Sequence, residues 1–145
     1  GSGYMFRTAT VQDFSAVTGA CLLVKTSVYD EVGGLDEQFA VAFNDVDFCL
    51  RVRDAGYRIA WTPYAELIHY ESKSRGGDEK DPSKAARFAS EQQRLYAIHG
   101  KENILDDPYY NPNLTRDRED FSESDDLRGL KEGKVTVRFR GGTVQ

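Results

Sequence analysis

Residues 17–25 (VTGACLLVK) are a run of apolar and β-branched positions interrupted only by Thr18 and Gly19. Such a run predicts a buried strand, with a close backbone approach at Gly19. Thr26 to Val32 predicts a short helix, capped by Thr26 and ended by Gly33 and Gly34. Leu35 to Phe43 has no period and reads as irregular. Asn44 to Ala55 reads as a helix with Asn44 as its cap and Gly56 as its stop. Tyr57–Thr62 and Ala65–Tyr70 read as strands separated by Pro63. After Tyr70 the pattern changes. Residues 71–81 are polar and glycine-containing, which predicts a loop. Pro82 to His99 restarts as a helix with a weak apolar stripe of Ala85, Phe88, Ala89, Leu95 and Ile98, and Gly100 stops it. Residues 107–114 carry two prolines and read as turns, residues 115–126 as a loose acidic stretch, and Val135–Phe139 as a terminal strand. The order is β-α-loop-α-β-β followed by a helix, an α/β or α+β arrangement.

The head of the Asn44 helix holds the candidate chemistry. With Asn44 as cap, Asp45 takes the first helical position. There the positive end of the helix dipole favours an ionised carboxylate. Such a group serves as a general base or holds a cation, but acidic residues also occupy first turns for capping alone. Asn44, Asp47, Arg51 and Asp54 share one helical face, and Asp47 and Arg51 are an i,i+4 pair of opposite charge. That spacing reads as a solvated stripe, and Asp45 lies off it.

Composition narrows the classes. The 145 residues suffice for one domain with a core, and a formal net charge of −5 argues against a general nucleic-acid binder. No apolar run reaches the ~20 residues of a membrane span. Gly1, Ser2 and Gly3 read as an expression scar. Cys21 and Cys49 form no disulfide framework and read as small core residues in a reducing compartment.

Four ordered blocks carry a resemblance: VTGACLLVK (17–25), EVGGLDEQF (31–39), FNDVDFCLRVRDAGYR (43–58) and IHYESKSRG (68–76). Together they resemble the C-terminal half of a bacterial family 2 glycosyltransferase of the GT-A fold. DPYYNPNLT (107–115) is similar to the tail of many such enzymes, and the likeness covers residues 11 to 121. The resemblance implies an α/β fragment, a mixed sheet with flanking helices over residues 4–100, a tail over 101–145, and a missing nucleotide-binding half. Asp45–Val46–Asp47 spells D-x-D, the family's nucleotide-metal motif. In the family, however, that motif ends the nucleotide-binding half, so here it is assigned to the base position.

The resemblance also implies roles. Asp45 matches the base that deprotonates the acceptor hydroxyl, and Asn44 replaces the acidic residue that usually precedes it. His69, which by itself reads as a structural strand histidine, matches a ligand of the divalent cation, Mg or Mn, on the donor diphosphate. The remaining ligands would come from the missing half and the diphosphate. Thr18, Gly19, Ala20, Asn44 and Asp47 fall against substrate. Lys73, Ser74 and Arg75 belong to a loop that either folds over a diphosphate or is ordinary solvated chain. Trp61 either borders an acceptor groove or packs in its strand. The implied partners are a nucleotide-diphosphate sugar and a glycan or lipid-linked acceptor, without nucleic acid or a transmembrane segment, in a cytoplasmic protein at the inner membrane face. A homodimer would cover the sheet edge left open by the missing half. The alternative is a non-catalytic glycan- or protein-binding module on the same fold.

Overall fold

The computed structural model describes residues 4–68, 82–118, 120–124, 137–139 and 142–144. The chain divides into two compact units, Gly1–Tyr109 and Tyr110–Gln145.

In the first unit, a 3-10 segment (Tyr4–Ala9) leads into β1 (Gln12–Phe14). A second 3-10 turn follows at Gly19–Cys21, then α1 (Thr26–Glu31), α2 (Asn44–Asp54) and β2 (Ile59–Trp61). Two further helices, α3 (Pro82–His99) and α4 (Lys101–Leu105), complete the order. The architecture is mixed α/β, as expected, with a small two-stranded sheet. β1 and β2 pair antiparallel, with Gln12 opposite Trp61 and Phe14 opposite Ile59.

Helix boundaries follow local signals. Gly33 and Gly34 take positive φ, and the Gly34 N–H donates to the Tyr29 carbonyl at 2.8 Å, closing α1. Gly56 and Gly100 also have positive φ and follow α2 and α3 as stops. The caps differ from expectation. Lys25, not Thr26, precedes α1, and Phe43, not Asn44, precedes α2. Asp45 is consequently the second helical residue rather than the first. After Gly100 the chain re-enters a helix, α4, where a turn-rich tail was expected.

The strand expected over Val17–Lys25 does not form. Thr18 Oγ1 accepts from the Ala20 N–H at 3.3 Å, and this side-chain cap turns Gly19–Cys21 into a 3-10 turn. Beyond it the chain is extended and alternates. Leu22 and Val24 pack on the core, while Leu23 is wholly exposed. Cys21, expected in the core, is exposed. Residues 65–68 of the second expected strand are not in a ladder, and Leu67 and Ile68 are exposed.

The core is Val28 of α1 against Phe48 and Val52 of α2, with Leu22, Val24, Val32 and Ile59 packed around it. The Tyr29 ring lies 5.5 Å from that of Phe48. The stripe expected to bury α3 is mostly outward: Ala85, Phe88, Ala89 and Ile98 are exposed. Its inward positions are Glu91, Leu95 and His99, at i, i+4 and i+8.

In the second unit, the described residues 113–118 and 120–124 are closed on each other rather than loose. Leu114 bridges Glu123, and the Thr115 N–H donates to the Ser122 carbonyl at 2.9 Å. The terminal strand, β3 (Val137–Phe139), pairs antiparallel with β4 (Gly142–Val144) as a hairpin.

Candidate functional site

Two segments far apart in sequence meet at the start of α2. Phe43 is left-handed (φ 64°), which costs a residue with a Cβ about 1–2 kcal/mol. This kink launches the helix, and the Asp47 N–H donates to the Phe43 carbonyl at 2.8 Å to close the first turn. Asn44 Oδ1 accepts from the Asp45 N–H at 2.7 Å, so its amide is used at the helix head. Asp45 is half-buried. Its Oδ1 accepts from the Val46 N–H at 2.9 Å and its Oδ2 from the Gly19 N–H at 2.8 Å.

Gly19 suits this approach. A Cβ there would stand 3.4 Å from the Asp45 Cβ and 3.6 Å from its Oδ2. Gly19 and Asp45 are thus in direct contact, with Thr18, Ala20 and Asn44 their neighbours along the chain. Each carboxylate oxygen of Asp45 takes one backbone donor and keeps further lone-pair capacity for a hydroxyl. The helix dipole points its positive end at the same place.

Asp47 is not on a solvated stripe. It is only 1% exposed, and its two oxygens are occupied separately. Arg51 donates to Oδ2 from Nε (2.9 Å) and Nη2 (2.6 Å), and its Nη1 donates to the Val32 carbonyl at 2.5 Å. His99 Nε2 lies 2.8 Å from Oδ1. An ionised carboxylate only accepts, so Nε2 carries the hydrogen. The expectation that Asp47 meets substrate gives way to an interior ion-pair cluster joining α1, α2 and α3. The i,i+4 spacing of Asp47 and Arg51 was legible, but burial of the pair was not, because His99 supplies the third side from far along the chain. Asp45 and Asp47 thus take different partners, and their carboxylates do not converge as a D-x-D metal pair.

Helix α3 reaches the same junction at other points. Glu91 is buried, and its Oε2 accepts from the Ala42 N–H at 2.6 Å. Arg94 pairs with Asp36 at 2.8 Å and stacks its guanidinium 5.5 Å from the centre of the buried Phe39 ring. The Phe43 and Phe88 rings lie 4.9 Å apart. Sequence reading missed Glu91 and His99. Their only signal was the spacing 91, 95, 99, in which two of three positions are polar.

Trp61 stands in β2, half-exposed, edge-on to Phe14 at 6.4 Å, with Nε1 donating to the Thr8 carbonyl at 3.3 Å. Cys49, in α2, is fully buried, and desolvation pushes its thiol pKa up. His69, Lys73, Ser74 and Arg75 lie outside the described residues. Among the described residues, no three His, Cys, Asp or Glu side chains gather as a cation site. No helix among them is long and apolar enough to cross a membrane.

Residues 3–95 match the sequence model of the family described as glycosyltransferase like family 2. An uncharacterized protein, y4gI, of Sinorhizobium fredii is 50% identical over 124 residues, covering 83% of this chain and 13% of that protein. The O-antigen biosynthesis protein RfbC of Myxococcus xanthus is 35% identical over 108 residues, 74% of this chain and 8% of its own. The N-acetylglucosaminyl-diphospho-decaprenol L-rhamnosyltransferase of Mycobacterium tuberculosis is 39% identical over 80 residues, 55% of this chain and 24% of that enzyme. The chain therefore spans less than a quarter of the length of each of these relatives. No solved structure matches it.

Proposed function

The chain belongs to the glycosyltransferase-like family 2, and from that premise we propose that it carries the acceptor-side, base-bearing part of an inverting glycosyltransferase. The single observation behind this reading is the Asp45 carboxylate, set at the head of α2 against the Gly19 N–H at 2.8 Å. Asp45 takes the proton of an acceptor hydroxyl as that oxygen bonds to the anomeric carbon of the donor sugar. The bond from that carbon to the diphosphate breaks, and the nucleoside diphosphate leaves with the electron pair. One displacement with one base inverts the anomeric centre.

Thr18, Gly19, Ala20 and Asn44 surround the base on the acceptor side, and Trp61 offers an aromatic face to a sugar ring. Lys73, Ser74 and Arg75, outside the described residues, are the side chains this reading assigns to the diphosphate. A divalent cation, Mg or Mn, suits diphosphate oxygens, and His69 is its expected ligand in this chain. When bound, it would neutralise charge on the leaving group. The name of the mycobacterial relative supports an L-rhamnosyl donor and a sugar-diphospho-lipid acceptor. That of the Myxococcus relative supports a place in cell-envelope polysaccharide synthesis. Such an acceptor places the reaction at the cytoplasmic membrane face. The wholly exposed Leu23, with no described strand beside it, supports self-association of the isolated chain, which light scattering tests.

The deciding experiment is Asp45→Asn in the full-length protein that bears this sequence. Loss of a general base lowers kcat by ~10²–10⁴, with little change in donor KM. Transfer at the unaltered rate would overturn the reading.

A further inference from the structure

Four contacts run from α3 to the segment that delivers Asp45, and two of them bracket it in sequence. Upstream, the buried Glu91 carboxylate holds the Ala42 N–H at 2.6 Å. Downstream, His99 holds Asp47 at 2.8 Å, with side chains 7% and 1% exposed. Between them Phe43 sits in a left-handed conformation, its ring 4.9 Å from Phe88. Further back, Arg94 ties down Asp36 at 2.8 Å. A left-handed phenylalanine persists only where its surroundings over-determine it, and here the residues on both sides of it are held by the same helix.

We infer that α3 is the positioning element of this site, with Glu91 and His99 fixing the backbone on either side of Asp45 so that its carboxylate meets the Gly19 N–H. This inference rests on the reading of Asp45 as the base for its functional meaning, but not for its geometry. Both residues act through others: Glu91 through Ala42, and His99 through Asp47. They are positioning residues rather than catalytic ones. Glu91 is the more direct device, because it holds a backbone N–H itself, whereas His99 acts through the Asp47 side chain.

A helix that only adds stability and one that aims a side chain differ in what they disturb when loosened. Amide hydrogen exchange by NMR on the 145-residue chain separates the two. In Glu91→Ala, protection of the Gly19 amide is expected to fall about tenfold, the equivalent of one lost charge-assisted hydrogen bond. The Phe48 and Val52 amides of α2 should keep theirs. Glu91→Gln should restore most of the Gly19 protection, because its side-chain oxygen still accepts from Ala42. Gln93→Ala, on the exposed side of the same helix, should leave it unchanged. If Glu91→Ala does not fold, Phe88→Ala, which truncates a half-exposed ring, is expected to give the same selective loss at about threefold. Unchanged Gly19 protection, or a parallel loss at Phe48 and Val52, overturns the inference. An Asp45→Asn protein that still transfers sugar would instead overturn the base assignment and leave this exchange pattern standing.

Discussion

Asp47 Oδ1 lies 2.8 Å from Nε2 of His99, joining the first turn of α2 to the last residue of α3 inside the protein. The same carboxylate takes two guanidinium hydrogens from Arg51 on its other oxygen. A carboxylate so enclosed is kept by its partners. Removing its charge leaves Arg51 and His99 without an anion in a place that water reaches poorly.

Asp47→Asn is therefore expected to destabilise the chain strongly. Breaking a buried pair costs about 3–5 kcal/mol, and the lower end applies because the Arg51 side chain is 25% exposed. For a domain of this size each kcal/mol lowers Tm by roughly 2–4 °C, so a fall of about 10 °C is expected by calorimetry. A Tm close to that of the unaltered chain would mean that Asp47 is solvated after all.

A second ion pair has a pH signature. Asp36 is held below the ordinary carboxylate pKa, first by the hydrogen bond from Arg94 and then by the Gln38 N–H. A depressed folded value contributes stability at pH above the unfolded carboxylate value. That contribution is lost as pH falls through the folded value, in the window below about pH 4. NMR titration should place the Asp36 midpoint below that of an unstructured aspartate. Arg94→Gln should move it upward, and an unmoved midpoint would show that the Arg94 bond is not the cause.

What was legible in the sequence were the features set by neighbours along the chain. Pro82, Gly100, Gly33, Gly34 and Gly56 bound α1, α2 and α3 because proline and glycine act within a turn or two. The glycine in the apolar run predicts a close backbone approach at Gly19, but what approaches is the Asp45 side chain. That Gly19 meets Asp45 was legible neither in the spacing nor in the family resemblance, which gave the two residues roles but no mutual contact. The rest depended on distant partners. The 17–25 run has strand composition, but Thr18 offers a local cap and no described strand lies beside Leu22–Lys25. The inward face of α3 was misjudged because Glu91 and His99 count as outward residues until Ala42 and Asp47 are known to face them.

The two cysteines, both expected in the core, should now behave differently. Cys21 is exposed, whereas Cys49 is buried in α2 with its thiol pKa raised by desolvation. Only a thiolate alkylates readily, so burial and the raised pKa both protect Cys49. Under native conditions, iodoacetamide should label Cys21 first and leave Cys49 unlabelled until the chain unfolds. Peptide mass spectrometry distinguishes them, and equal labelling rates would contradict the packing of α2.

The Gly19–Asp45 contact allows function to be separated from folding by a single methyl group. Gly19 does not need a positive φ, and a Cβ placed there meets Asp45 at 3.4 Å and 3.6 Å, near ordinary contact distance. Gly19→Ala should thus fold with stability changed by about 1 kcal/mol or less. Its backbone N–H still donates to Oδ2. The methyl, however, stands against the carboxylate that must receive the acceptor proton, and hydrogen-bond reach to that proton is only ~2.6–3.2 Å. In the full-length protein, kcat should fall while Tm stays nearly level, and Gly19→Val should lower kcat further. If both variants transfer sugar at the unaltered rate with Tm preserved, the acceptor does not approach Asp45 from the Gly19 side.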